Sequence, residues 1–388
     1  MKIGILSLYY HNYNFGGALQ AYALCKYLNK KYDAEQISVK FEFPDYLRQQ
    51  ICRTRGIRKI KAVLSLVKYN TLQWCSKMTH PVVTNKLHIR KRQFDAFCNQ
   101  IPHSIRVYTI DSVKETDKIY DMFVCGSDVI WNCGMPAFVA ALGFTEKEKI
   151  AYAPSVGSSM LPDWWKKEYI PYVTKIQSIS MRENSTANQL ERLLEKPVEC
   201  VLDPTFLLKK EDWDRCVGKE EKRTNECFCY LLGNSVIQRK QIAEFAKKNK
   251  LRLVTEPYAT NQSFRKCDKY FGDLKDYHSG PKEFINHIKN SEVIITDSFH
   301  ACVFSIIYNK EFYAVPRIND TDEALSGRVK SLLETLNLKE RYVQNIQTQE
   351  RVNIDYSDAN ILVEKLREKS VLFLEESVKD GEHNCSSI

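Results

Sequence analysis

The sequence predicts an α/β protein made of two lobes, each built on a parallel sheet. Three observations predict it. The chain has 388 residues, beyond the roughly 250–300 at which one hydrophobic core stops growing. Short apolar runs alternate with helical stretches from the first residue onward. That alternation restarts after the polar, charged segment 209–225, where the lobe boundary is expected.

The first strand is expected at Lys2–Leu8, followed by an Asn- and Gly-rich turn over Tyr9–Gly17. Ala18–Leu28 carries Leu19, Tyr22, Ala23 and Tyr27 on one stripe and reads as a helix. Gln36–Val39 reads as the next strand. Further strands are expected at Ile119–Cys125, Ile150–Tyr152, Ile176–Met181 and Cys200–Leu202, with a helix over Ser185–Leu194 capped by Ser185 or Asn184. The second lobe opens with a strand at Cys227–Leu232, a helix at Val236–Asn249 and a strand at Arg252–Val254. It continues with a helix at Pro281–Asn290, a strand at Glu292–Thr296, a helix at Phe299–Tyr308, a strand at Phe312–Val315 and a helix at Arg328–Leu336. The expected division is 1–208 for the first lobe, with a basic helical insertion at 46–97, and 209–358 for the second. A last helix at 359–378 is expected to pack back on the first lobe, and 379–388 to form a flexible tail.

Composition is that of a globular chain, with 44% hydrophobic and 27% charged residues. The 13 cysteines are scattered without a CxxC pair. This is neither a disulfide framework nor a zinc pattern, so reduced thiols in a cytoplasmic protein are expected. No stretch approaches the ~20 apolar residues of a membrane-spanning helix, and the start lacks a signal-peptide pattern. The net charge of +9 comes from one region. Tyr46–Phe94 holds twelve Lys or Arg and no acid, which leaves −3 for the rest. Within it, Ile57, Ile60, Val63, Leu64 and Val67 form an apolar helical stripe beside Arg58, Lys59 and Lys61. Such a helix suits an anionic membrane surface, and equally a solvated helix packed on the lobe. Nucleic-acid motifs are missing, so no nucleic-acid partner is expected.

Four strand ends carry chemistry. The run Glu292–Thr296 ends in Asp297-Ser298-Phe299-His300, where a helix begins at once. Helix N-termini attract anions, and ligands in open α/β sheets bind beyond the carboxyl ends of strands. His300 in that first turn is a candidate acid/base; a capped helix with a packed histidine is the plainer reading. Ser180-Met181-Arg182-Glu183 ends another strand. Arg182 suits a bidentate grip on carboxylate or phosphate, against a simple ion pair at a helix start. Gly126-Ser127-Asp128-Val129-Ile130-Trp131-Asn132 offers Ser127, Asp128 and Asn132 to sugar hydroxyls and Trp131 to a sugar face, against a turn with a core tryptophan. The first loop, Asn14-Phe15-Gly16-Gly17, is neither GxGxxG nor a P-loop. No metal motif is present, and no metal or cofactor is expected.

These blocks, in this order, resemble the polysaccharide pyruvyl transferase family. Asn14-Phe15-Gly16-Gly17-Ala18-Leu19-Gln20-Ala21 resembles the family's opening turn and helix. Gly126–Asn132 resembles its Gly-Ser-Asp-x-x-Trp-Asn block, Ser180–Glu183 its Ser-x-Arg-Glu block, Asp203-Pro204-Thr205 its Asp-Pro-Thr turn, and Ser298-Phe299-His300 its Ser-Phe-His block. Gly327-Arg328-Val329 and Leu332-Leu333 follow. The second glycine, Gly17, and the acid-free insertion depart from the pattern. The resemblance implies two Rossmann-like lobes similar to the GT-B fold, with the active site in the interlobe cleft. It implies transfer of pyruvate from phosphoenolpyruvate, a co-substrate, to a sugar as a ketal. The implied acceptor is a hexose such as galactose on a polyprenyl-diphosphate carrier, for a capsule, exopolysaccharide or cell-wall precursor at the inner face of the membrane. His300 and Arg182 are the implied catalytic residues, with Ser298, Phe299 and Arg328 also on the donor and Arg317 as further positive charge. Asn14, Gly16, Gly17, Gln20, Ser127, Asp128 and Trp131 are expected on the acceptor. A nucleotide-sugar-dependent glycosyltransferase on the same plan is the alternative enzyme, and a basic membrane- or polyanion-binding scaffold the non-enzymatic one.

Overall fold

A computed structural model of the chain describes residues 1–41, 56, 59–61, 63–67, 71, 81–132, 134–218, 224–260, 263–318 and 327–386. Of the expected membrane-docking helix, Ile57 and Arg58 lie outside them, while Ile60, Val63, Leu64 and Val67 are described and exposed. Two compact units emerge. The first comprises Met1–Pro81, Cys98–Leu207 and Arg367–Ile388; the second comprises Val82–Phe97 and Leu208–Leu366.

In the first unit, β1 (Lys2–Leu6) leads through the Asn-rich turn into α1 (Phe15–Leu28), and β2 (Asp33–Gln36) follows. Asn14 caps α1, its side chain accepting the Gly17 N–H. Gly17 is required there, because a Cβ would lie 2.5 Å from the Leu8 carbonyl oxygen. The chain then runs through α2 (Pro81–Cys98), β3 (Met122–Cys125) and β4 (Lys149–Ala151). It continues as α3 (Asp163–Val173), β5 (Ser178–Met181), α4 (Asn184–Leu194) and β6 (Val198–Cys200). The six strands are parallel in the order β2-β1-β3-β4-β5-β6. Short, wholly apolar strands such as Met122–Cys125 are what a sheet covered on both faces demands.

The second unit contains α5 (Lys210–Val217), β7 (Glu226–Tyr230), α6 (Val236–Lys248) and β8 (Arg252–Thr255). A small hairpin, β9 (Ala259–Thr260) and β10 (Ser263–Phe264), precedes β11 (Leu274–Lys275) and α7 (Pro281–Asn290). Then come β12 (Val293–Thr296), α8 (Phe299–Ile307), β13 (Glu311–Ala314) and α9 (Gly327–Thr335). This sheet is also parallel, in the order β11-β8-β7-β12-β13. The fold class is therefore the one expected, two parallel sheets with helices between the strands.

The final helix, α10 (Ser357–Ser386), continues past the expected fraying point at Lys379. Val378 is buried, and Gly381 packs so closely on Met122 that a Cβ would lie 2.9 Å from its Cε. Residues 82–97 were expected with the first lobe and instead cluster with the second. The reason is a buried ion pair: Arg90 Nη2 lies 3.2 Å from Glu256 Oε1, and Arg90 Nη1 donates to the Pro257 carbonyl at 3.0 Å. The segment 209–225, expected to be a polar boundary, holds α5 with Trp213 fully buried. Helix α4 starts after Glu183, which makes no side-chain cap bond, and neither Asn184 nor Ser185 is its cap.

Candidate active-site edges of the two lobes

The first lobe gathers its sequence candidates into one buried network. Arg182 follows β5, and its side chain is 2% exposed. Its Nη1 donates to Asp203 Oδ2 at 3.0 Å and lies 3.7 Å from Asp128 Oδ1. Its Nε donates to Glu183 Oε1 at 3.1 Å, which also accepts from Ser155 Oγ at 2.8 Å. Burial works against the guanidinium charge. The carboxylates of Glu183, Asp203 and Asp128 outweigh it and hold the Arg182 pKa above its ordinary value. Ser127 Oγ donates to the Ala153 carbonyl at 2.7 Å and lies 3.3 Å from Asp203 Oδ2. Gln20 accepts the Ser127 N–H and donates to the Gly17 carbonyl. Asp128 has φ +63°, a left-handed conformation that aspartate tolerates better than most residues.

This placement corrects several expectations. Three carboxylates surround Arg182, so its guanidinium is engaged first as the ion-pair centre of its own lobe. Gly16, Gly17, Gln20 and Ser127 are buried and act as scaffolding for the loops. Trp131 is 0% exposed, donates its indole N–H to the Ala140 carbonyl at 3.2 Å and packs against Trp165 and Tyr169. It is a core residue and has no face to offer a sugar. Asn132 spends its amide on the Val156 carbonyl. Asp203, which the sequence offered only as part of a turn, is the hub. The visible signal was its cap geometry: Oδ1 accepts from the backbone and hydroxyl of Thr205.

The second lobe holds a different arrangement at the ends of β7, β12 and β13. Asp297 follows β12 and is buried. Its Oδ1 and Oδ2 accept the N–H groups of Leu232 at 2.6 Å and Gly233 at 2.7 Å. Arg317, beyond β13, donates from Nη2 to the Asp297 carbonyl at 3.1 Å, and its Nε lies 4.0 Å from Oδ2. Burial pushes the Asp297 carboxyl up; Arg317 and the two N–H groups work against it. Arg239 and Arg265 both donate to the Gly233 carbonyl at 2.9 Å. Arg239 also pairs with Asp268 at 2.7 Å, and Arg265 lies over the Tyr258 ring at 4.2 Å. Ser298 caps α8, accepting from Ala301 N–H. His300 sits in the first turn of α8, edge-to-face with Phe299 at 5.2 Å. Arg328, buried in the first turn of α9, belongs to a helix that packs on α8. Arg239, Arg265 and Asp268 were missed by sequence reasoning, since they stand outside the strand-end blocks and converge only through the turn after β7.

The chain is thus a two-lobed parallel α/β protein whose second lobe gathers guanidinium groups and a histidine at its strand ends. Residues 14–319 match the family model described as polysaccharide pyruvyl transferase. The chain belongs to the polysaccharide pyruvyl transferase family. No curated protein matches it. Among solved structures, it is similar to the UDP-GlcNAc 2-epimerase of Methanocaldococcus jannaschii, with 11% identity over 94% of this chain and 99% of that one, TM-score 0.46. The UDP-GlcNAc 2-epimerase of Neisseria meningitidis gives 12% identity over 95% and 100%, TM-score 0.43. UGT89C1 of Arabidopsis thaliana gives 11% over 100% and 98%, TM-score 0.47.

Proposed function

We propose that the chain transfers pyruvate from phosphoenolpyruvate to two hydroxyls of a sugar, forming a ketal and releasing inorganic phosphate. Family membership supports a pyruvyl transfer. The observation that carries the site is the Asp297–His300 strand end, with an acid/base side chain in the first turn of a helix whose neighbouring loops bring Arg317, Arg239 and Arg265. A donor with a carboxylate and a phosphate needs such positive charge and N–H groups. A proton adds to the donor's methylene carbon, an acceptor hydroxyl oxygen bonds to the central carbon, and the phosphate leaves with its bonding electrons. The second hydroxyl then closes the ring. His300 moves the protons, a role worth roughly 10²–10⁴-fold. Ser298, Phe299 and Arg328 line the donor side in this reading, while Arg182 holds the first lobe's loops in place.

The acceptor in this proposal is a lipid-diphosphate-linked hexose, modified in the cytoplasm for a surface polysaccharide. The buried thiols of Cys25, Cys227, Cys229 and Cys302 suit a reducing compartment. Among the described residues, no helix is long and apolar enough to cross a membrane. The test is a donor screen against hexose acceptors, reading phosphate release from phosphoenolpyruvate and nucleoside diphosphate release from nucleotide sugars. Phosphate release that falls at least about 100-fold in a folded His300→Ala variant is expected. Nucleoside diphosphate release instead, or full transfer by the variant, sinks the proposal.

A further inference from the structure

The first lobe buries Gln20, Ser127, Asp128 and Trp131 of its expected sugar ligands, yet the same sheet edge turns other rings outward. Beyond β1, Tyr10 is half-buried, His11 exposed and Tyr13 half-buried. The Tyr10 and His11 rings lie 4.2 Å apart at 37°. The His11 and Tyr13 rings are 6.0 Å apart, and the Tyr13 hydroxyl is 3.4 Å from His11 Nδ1. Both His11 (φ +52°) and Tyr13 (φ +48°) are left-handed, a conformation that histidine tolerates and tyrosine seldom adopts. Strain of this kind persists where the surroundings impose it, and it clusters at functional sites.

The surroundings do impose it. Tyr9 is buried, with its hydroxyl 3.1 Å from Ser38 Oγ. Asn12 donates its side-chain amide to the Leu8 carbonyl at 2.9 Å, and Asn14 caps the helix that follows. The loop is thus pinned at both ends and holds its rings at the carboxyl edge of a parallel sheet, where ligands of such sheets bind.

We propose that Tyr10, His11 and Tyr13 form the platform for a pyranose ring, the aromatic faces meeting the sugar's C–H face and the His11 and Tyr13 polar edges bonding its hydroxyls. Aromatic side chains with one apolar face and one polar tip suit such a half-apolar, half-hydroxylated ligand. The identification of this ligand as the acceptor rests on the pyruvyl-transfer reading above; the sugar site itself rests on the loop.

The experiment is saturation-transfer NMR on the full chain with methyl β-galactoside, methyl α-glucoside and methyl α-mannoside as probes. Wild type should show transfer to at least one sugar. Tyr10→Ala and His11→Gly should weaken binding about tenfold, and Tyr13→Phe less. His11→Gly should melt no lower than wild type, because glycine adopts the left-handed conformation without steric cost. His11→Asn, which also tolerates that conformation, repeats the test with a side chain in place. Undiminished transfer in Tyr10→Ala and both His11 variants overturns the platform, as does a wild-type chain that binds none of the three sugars. Sugar transfer that is lost in the variants, alongside absent phosphate release from phosphoenolpyruvate in wild type, keeps the platform and sinks the pyruvyl reading alone.

Discussion

In the first lobe, the strand ends carry one guanidinium, Arg182, among three carboxylates, Asp128, Glu183 and Asp203. In the second, three guanidinium groups, Arg239, Arg265 and Arg317, meet two carboxylates, Asp268 and Asp297, beside His300. Both edges belong to parallel sheets of the same kind, and both start from a buried apolar strand followed at once by polar residues. The charge balance alone separates them. An acid-rich knot disfavours an anionic ligand and leaves neutral polyols to whatever the lobe presents outside it. An arginine-rich turn attracts one. The same architecture therefore holds an acid-rich cluster in one lobe and an arginine-rich one in the other.

The sharpest way to break that contrast is Arg182→Met. Removing the cation strands three buried acids, so the first lobe should lose about 4 kcal/mol, read as an early transition in urea unfolding. An unchanged transition with a raised KM for phosphoenolpyruvate would return Arg182 to the donor and erase the distinction. Next is Arg90→Met, expected to cost the second lobe roughly 3 kcal/mol and to test whether that lobe also has a purely structural pair away from His300. Burial raises the Glu256 carboxyl well above its ordinary 4.5, against the pull of Arg90. A carboxyl raised by folding stabilises while protonated, and this stability is lost as pH rises through the folded value. Loss of Arg90 raises that carboxyl further, so the Arg90→Met penalty should grow as pH rises past the wild-type folded value, as melting curves across pH will show.

Gly233→Ala comes third. Its Cβ would lie 2.9 Å from the Ile318 carbonyl oxygen and 3.0 Å from Asp297 Oδ2. Crowding of this kind costs about 2 kcal/mol, and the phosphate-release rate should fall with it if the Asp297-held turn shapes the donor edge. The smallest effect belongs to Ser298→Ala, the loss of one helix cap, about 1 kcal/mol by thermal unfolding.

Much of this could be read from the chain itself, because apolar runs that end in Asp, Ser or Gly mark strand ends by composition. The strands at Lys2–Leu6 and Val293–Thr296 follow from that signal directly. Other features could not be read so. Helix α3 begins after Pro162, which offers no side-chain cap, and contains Pro171; both residues argue locally against a helix, and burial of Trp165 and Tyr169 overrides them. The Gly126–Asn132 block gives the residue types of a sugar site, but the direction in which Trp131 turns depends on Trp165, thirty-four positions later. Arg182 reads as an anion clamp until Asp203 closes on it from beyond the next strand. Arg239 lies in a helix and Arg265 just past the hairpin, and only the turn after β7 gives them a common carbonyl. What eludes a linear reading is the pairing of side chains distant along the chain, which decides whether a charge is spent or available.

The indole of Trp213, packed edge-on against Phe304 at 4.9 Å, is the one tryptophan in the sequence of the second unit. Phe304 lies on the helix that begins at Ser298 and carries His300. With the remaining tryptophans replaced by phenylalanine, emission from this single fluorophore would report on the histidine-bearing helix in real time. The protein thus contains its own optical probe, seated against the helix that carries His300.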